Sequence, residues 1–150
     1  MRGRSEQGMT LVEVAIGAAL LGLVAATGIA TLMLLNKNAI STRVMGNARE
    51  VVQRNIESAV GVPFTAGNEP TILAVATDAV WDDDGGGDNK ITVYSNRDGT
   101  GAILGDLRRT VATQANPANA DVRRITFRLS YNLFNRPMNY EMTTIRAMDK

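Results

Sequence analysis

The sequence of 150 residues contains no cysteine and no histidine. The absence of cysteine excludes a disulfide framework, a thiolate metal site and a cysteine nucleophile. The absence of histidine removes the usual general base and the commonest zinc ligand. Because neither residue type is available, we expect a non-enzymatic protein rather than a catalyst.

A large excess of charge of one sign is also lacking, since 16 Lys and Arg residues are set against 15 Asp and Glu residues. The resulting net charge of +1 argues against a strongly basic nucleic-acid-binding protein and against an acidic disordered tail. The charges are unevenly spread, because residues 14–35 contain none of them and the rest of the chain is ordinarily polar. The composition therefore indicates a membrane-type segment joined to a soluble one.

The uncharged run from Val14 to Leu35 sets the first expectation about structure. As a helix it would extend about 33 Å, which is enough to cross a bilayer core of about 30 Å. Arg2 and Arg4 precede the run, and a basic leader stays on the cytoplasmic side of a membrane. A secretory signal peptide, a generic signal anchor and a buried core helix are the alternatives.

Glu13 is the charged residue that interrupts the apolar sequence between Met9 and Leu35. A carboxylate in a membrane segment costs about 2–3 kcal/mol unless it is paired or close to the interface. Two interpretations stay open at this point. Glu13 marks the edge of the membrane, or it pairs with a cation on another molecule, such as the α-amino group of a neighbouring chain.

The chain begins with a short basic leader and continues with the motif Gln7-Gly8-Met9-Thr10-Leu11-Val12-Glu13, after which the residues to Thr27 are apolar, small or Thr. This pattern resembles the class III signal of type IV pilins and type II secretion pseudopilins. The resemblance covers roughly the first 30 residues. Met9 stands where the family usually has Phe, and the uncharged run lacks the proline that major pilins often carry. Both departures, together with the missing disulfide, indicate a minor subunit.

The resemblance implies that a prepilin peptidase cleaves between Gly8 and Met9 and methylates the new amino terminus. It also implies that Glu13 neutralises that terminus, its own or a neighbour's, as the subunit enters a filament. The implied partners are other pilin or pseudopilin subunits, the prepilin peptidase and an inner-membrane assembly platform. The implied location is a single-pass position in the inner membrane with the head outside the cytoplasm, and afterwards a cell-surface pilus or a periplasmic pseudopilus.

Small residues recur at every fourth position of the apolar run and would form one ridge on a helix; they are Ala18, Gly22, Ala26 and Ala30. Such a ridge lets helices approach closely in apolar surroundings, where hydrophobic drive is small. We interpret it as a helix-packing surface, with ordinary membrane composition as the alternative.

An amphipathic pattern predicts that the helix continues past Leu35. Apolar residues recur there at steps of three and four; they are Ile40, Val44, Ala48, Val52, Ile56 and Ala59 or Val60. We expect Gly61-Val62-Pro63 to end the helix. The predicted organisation is a leader at 1–8, a transmembrane or filament-core helix at 9–35, its amphipathic continuation at 36–62 and a β-rich head at 63–150.

Short strands separated by turns are predicted for the head. The strands are 71–81, with 72–75 the clearest part, then 91–95, 107–113, 122–133 and 140–147, and the predicted turns include 96–99 and 135–137. The alternation in 122–133 places Ile125, Phe127, Leu129, Tyr131 and Leu133 on one face. The predicted fold class is α+β, a long N-terminal helix packed on an antiparallel meander.

An acidic, glycine-rich stretch occupies residues 82–89. Asp82, Asp84 and Asp88 could surround a calcium ion, which takes six to eight oxygen ligands. The stretch lacks the closing Glu of an EF-hand, so a solvated hairpin tip is the alternative and the expected outcome. No cofactor other than this calcium is expected.

Two basic clusters, Arg108-Arg109 and Arg123-Arg124 with Arg128, are the candidates for contact with DNA phosphates. Phe127, the aromatic residue between Arg124 and Arg128, is expected in the core and not as a surface on which single strands stack. We therefore expect salt bridges between subunits or a solvated strand face, and binding to nucleic acid is not expected.

The function predicted by the resemblance is that of a structural pilin or minor pilin in a type IV pilus-like filament. A pseudopilin of a type II secretion system and a DNA-binding pilin of a DNA-uptake pilus are the alternatives.

Overall fold

The computed structural model describes residues 10–82, 90–97, 101–115 and 121–149. These residues form one long helix, α1 (Leu11–Gly61), a single 3-10 turn (Thr71–Leu73) and five strands. The strands are β1 (Ala76–Val80), β2 (Lys90–Tyr94), β3 (Ile103–Gln114), β4 (Val122–Leu133) and β5 (Arg136–Ala147). The α+β fold class and the packing of a long helix on an antiparallel sheet are thereby confirmed. The chain divides into two compact units, Met1–Ile40 and Ser41–Lys150.

In the first unit, the part of α1 up to Ile40 is a helix without a core. Every residue from 10 to 39 is exposed. Its sequence forms a helix because it contains no proline and is dominated by Ala, Leu and other residues that tolerate helical backbone. The Thr27 hydroxyl donates to the Val24 carbonyl at 2.9 Å, and the Thr31 hydroxyl donates to the Thr27 carbonyl at 2.9 Å. Both polar groups are therefore satisfied within the helix itself.

In the second unit, the part of α1 from Ser41 to Gly61 has one buried face. The buried residues are Val44, Ala48, Val51, Val52, Asn55 and Ala59. Of the other predicted positions, Ile56 is half-buried and Val60 is exposed. The Val62 N–H still bonds to the Ser58 carbonyl at 3.1 Å, and Pro63 follows. The predicted end of the helix at 61–63 is thus confirmed.

The sheet is antiparallel throughout, with β3 and β4 at its centre. β5 forms one edge, and β1 and β2 both pair with the outer side of β3, β1 near Val111 and β2 near Asp106. Consecutive strands β3, β4 and β5 therefore form the meander. The face that packs on α1 is mostly apolar, and Ile125, Phe127 and Leu129 are fully buried there, as the alternation predicted.

The sequence prediction was wrong for the start of the head. Residues 72–75 were expected to be the clearest part of a strand, but they lie in the 3-10 turn and the link after it, and β1 begins only at Ala76. Leu73 is fully buried in that turn, so its apolar character reflects core packing rather than strand pairing. A short apolar run does not distinguish the two cases by pattern alone.

The hairpin between β4 and β5 also differs from the prediction. The expected turn at 135–137 is instead formed by Phe134 and Asn135, whose φ values are 49° and 63°. Two adjacent residues with positive φ make the twisted two-residue turn that suits a hairpin. Pro137 consequently lies inside β5, which is an edge strand and tolerates a missing N–H. The predicted turn at 96–99 lies partly outside the described residues.

Candidate functional site

The start of α1 carries a reciprocal set of hydrogen bonds between Thr10 and Glu13. The Thr10 backbone N–H donates to Glu13 Oε2 at 3.2 Å, and the Thr10 hydroxyl donates to the same oxygen at 3.2 Å. In return, the Glu13 backbone N–H donates to Thr10 Oγ1 at 3.3 Å. This is a capping box, in which two backbone donors that a helix start leaves unpaired are satisfied by side chains.

Sequence reasoning missed this role of Glu13, although the signal was present. The pattern Thr10-Leu11-Val12-Glu13 is a Thr-x-x-Glu capping motif in front of an apolar helix. The capping box gives Glu13 a local structural task that neither of the two earlier interpretations included. It also fixes the carboxylate at the backbone N–H of Thr10, one residue from Met9.

The apolar surface that follows Glu13 is continuous and uncovered in the first unit. Leu21 is 74% exposed and Val24 is 68% exposed, values otherwise unusual for such side chains. The predicted small-residue ridge of Ala18, Gly22, Ala26 and Ala30 lies on this exposed surface. A Cβ added at Gly22 would meet no atom within 4 Å, so no described part of the chain covers the ridge there. α1 is also long and apolar enough to cross a membrane.

Several predicted site residues fall outside the described part of the chain. Gly8 and Met9, the predicted processing residues, and Asp84 and Asp88, two of the three predicted calcium ligands, lie outside it. Asp82 is described and half-buried. Among the described residues, no group of three or more acidic side chains is arranged to hold a metal ion.

On the open face of the sheet, two arginines of the predicted basic clusters share one carboxylate. Arg108 Nη1 lies 3.0 Å from Asp78 Oδ2, and Arg128 Nη2 lies 2.6 Å from Asp78 Oδ1. Arg108 and Arg128 are direct cross-strand partners, so without Asp78 their like charges would repel. Asp78 adopts a φ of 48° at an irregularity in β1, which aims its side chain at the pair.

Two further arginines of the predicted clusters, Arg109 and Arg123, are buried on the face of the sheet that packs on α1. Arg109 is 6% exposed, donates to the Thr71 carbonyl and stacks 4.5 Å from the centre of the Trp81 ring. Burial lowers the pKa of Arg109. Arg123 is 8% exposed and pairs with Glu69 at 2.9 Å and with Asp121 at 3.0 Å. Both side chains hold the link between α1 and β1 against the sheet.

Of the five arginines in the predicted clusters, only Arg124 is therefore exposed without a described partner. These ion pairs and hydrogen bonds lie within the chain, whereas the predicted salt bridges were between subunits and stay a prediction.

Two polar contacts attach α1 to the sheet in the second unit. The buried Asn55 accepts a hydrogen bond from Trp81 Nε1 at 2.9 Å, and Asn47 donates to the Val93 carbonyl at 3.0 Å. At the far end, Phe64 N–H donates to Asp149 Oδ2 at 2.9 Å. That bond and the neighbouring Arg146 hold the pKa of the Asp149 carboxyl below its usual range.

Comparison with known proteins gave no match: no family model, no curated protein and no solved structure is detectably similar to this chain. The fold itself defines a class of architecture. A long N-terminal helix has an exposed apolar part, and its later part packs on an antiparallel sheet to form the head.

Proposed function

We propose that this chain is a structural subunit of a type IV pilus-like filament, matured by cleavage after Gly8. The observation that carries the proposal is the exposed apolar part of α1, which begins with the Thr10–Glu13 capping box. Such a surface is unstable in water and needs either lipid or other helices around it. A subunit that is stored in a membrane and then packed into a helical bundle has lipid around this surface first and other helices around it afterwards.

The proposal assigns Glu13 a second task after cleavage. Removal of residues 1–8 creates an α-amino group on Met9, and the capping box holds the Glu13 carboxylate at the adjacent Thr10 N–H. A carboxylate and an ammonium ion in apolar surroundings are each costly alone and much less costly together. The pair forms within the chain or with a neighbour's amino terminus as the helix enters the filament.

The length and apolar composition of α1 support anchoring by a single membrane span before assembly. Arg2 and Arg4 on the cytoplasmic side would place the head on the other side. Under this proposal the small-residue ridge mediates helix packing, and the head supplies lateral contacts. The pairing of four arginines inside the head supports a structural role over DNA binding.

Processing at Gly8 tests the proposal directly. Replacing Gly8 with Val should block cleavage, because the peptidase of the resembled family acts after glycine, and should leave full-length protein in the membrane. Gly3→Val serves as the matched control and should be cleaved normally. Mass spectrometry of filament-extracted wild-type protein should show a methylated Met9 as its first residue. Filament protein that still begins at Met1 would contradict the proposal.

A further inference from the structure

The two edges of the sheet differ in how well they are blocked against further strand pairing. One edge consists of β1 and β2, two strands of five residues each, and the pairing of each with β3 contains a register shift. Short strands and bulges are devices by which proteins protect an edge. The other edge, β5, pairs with β4 over twelve residues without any shift.

The hairpin turn determines which backbone groups of β5 face outward. Because Phe134 and Asn135 form a two-residue turn, Leu133 and Arg136 are a hydrogen-bonded pair. Hydrogen-bonded and non-hydrogen-bonded pairs then alternate along the ladder. The residues whose N–H and C=O groups point away from β4 are therefore Asn139, Glu141, Thr143 and Ile145. Among the described residues, β5 has no strand on that side.

The side chains along this edge are also incompletely paired. On the face toward α1, Met138, Tyr140 and Met142 are half-buried, so part of their apolar surface stays in water. On the open face, Glu141 is exposed and has no ion-pair partner in the described part of the chain. Its cross-strand neighbour Arg128 is bound to Asp78 instead. The edge thus combines outward backbone groups, apolar surface and one free carboxylate.

We propose that the edge of β5 from Asn139 to Ile145 binds an extended segment of another protein as an additional strand. The segment carries Lys or Arg opposite Glu141 and apolar residues at alternate positions, which cover Tyr140 and Met142. Main-chain hydrogen bonds supply affinity in this mode of recognition, and alternate side chains supply specificity. The proposal concerns the head and does not depend on the role of the first unit in a filament.

A second copy of β5 does not supply this chemistry. In an antiparallel pairing, which the peptide geometry below assumes, outward-facing residues lie opposite outward-facing residues. The odd-numbered positions of β5 contain no Lys or Arg; they are Pro137, Asn139, Glu141, Thr143, Ile145 and Ala147. No such register places a cation opposite Glu141. A strand from a different protein is free of this restriction, and we assign the edge to such a segment.

A pair of synthetic peptides tests the proposal on the full chain in detergent micelles. Both peptides alternate Val with Thr and have Lys at the centre. One is N-methylated on the Val residues, which leaves the Thr and Lys N–H groups free to pair with β5 and prevents self-association. The other is methylated on Thr and Lys. We expect calorimetric binding and amide shifts confined to β5 and its neighbours for the first peptide, and no binding for the second.

Variants of the chain localise the binding to the edge. Thr143→Pro removes one outward N–H without breaking the β4 ladder and should weaken binding of the first peptide about tenfold. Thr143→Val keeps that N–H and is the matched control, because both variants lose the hydroxyl. Glu141→Lys should weaken binding about threefold to tenfold, and a peptide with a central Glu should restore it.

Three results would overturn the proposal. Equal binding of the two methylation isomers would show that backbone pairing is not involved, and absence of binding by both would show that the edge is closed. Association of the chain with itself that Thr143→Pro abolishes would assign the edge to a second copy instead.

Discussion

One helix, α1, contains two stretches of similar backbone and opposite surroundings. From residue 10 to 39 every side chain is exposed and most are apolar. From Ser41 to Gly61 a single stripe is buried, and most of the remaining residues are polar. The first stretch has no periodicity that would aim an apolar face at a partner within the chain. The comparison shows that helix formation and core formation are separate properties, and that the second depends on the period of the apolar residues.

The largest expected change in the free energy of unfolding distinguishes a core residue from a residue of the exposed stretch. Phe127→Ala should lower the free energy of unfolding of the head by about 3–5 kcal/mol, because Phe127 is fully buried against Trp81. Leu21→Ala, a truncation on the exposed stretch, should change it by less than about 0.5 kcal/mol. Denaturant unfolding in detergent micelles, followed by circular dichroism, measures both. A large loss for Leu21→Ala would mean that the first stretch is part of the head's core.

A smaller loss of stability is expected when the polar side chains that attach the second stretch of α1 to the head are truncated. Asn55 is itself buried, and Asn55→Ala leaves the half-buried indole N–H of Trp81 without its acceptor, which should cost about 1–3 kcal/mol. Asn47→Ala, at a half-exposed bond to Val93, should cost about 0.5–1.5 kcal/mol. Trp81 is the single tryptophan, so its fluorescence reports the first change directly. Equal costs for the two variants would contradict the assignment of Asn55 as the buried attachment.

The smallest effect concerns acid stability at the end of the second stretch. The pKa of Asp149 is lowered by the Phe64 N–H and by Arg146, so the unfolded chain binds its proton at a higher pH than the folded chain. Its contribution to stability is therefore fully present above about pH 4 and is lost as the pH falls through the folded-state pKa. Asp149→Asn should be less stable than wild type at neutral pH, and the two should converge in acid. A constant difference from neutral pH to about pH 2 would contradict the linkage.

Sequence patterns predicted α1 and β4 well because each has a sustained period, 3.6 residues in Ser41–Gly61 and two residues in Val122–Leu133. The 3-10 turn at Thr71–Leu73 was missed because a buried apolar triplet has no period to measure. The pairing of β1 with β3 was also beyond prediction, since it depends on contacts distant in sequence.

The candidate functional site was likewise predictable from the sequence only in part. The exposed apolar run and Glu13 were identified from composition, and the capping box was available in the motif but overlooked. The sharing of Asp78 by Arg108 and Arg128 could not be predicted, because Asp78 reaches them through an irregular backbone conformation at residue 78. Side-chain pairing across a bulge has no signature in a linear sequence.

The most direct test of the account is the recovery of Glu13→Gln in filaments. Glutamine can keep the capping box with Thr10, but it cannot neutralise the amino terminus created at Met9. Stranding one partner of a buried ion pair costs about 3–5 kcal/mol, which exceeds typical packing energies between apolar helices. Fractionation should therefore find cleaved Glu13→Gln protein in the membrane and little or none in sheared filaments. Cleaved Glu13→Gln protein in filaments at the wild-type level would show that capping alone explains Glu13 and would contradict the pairing role.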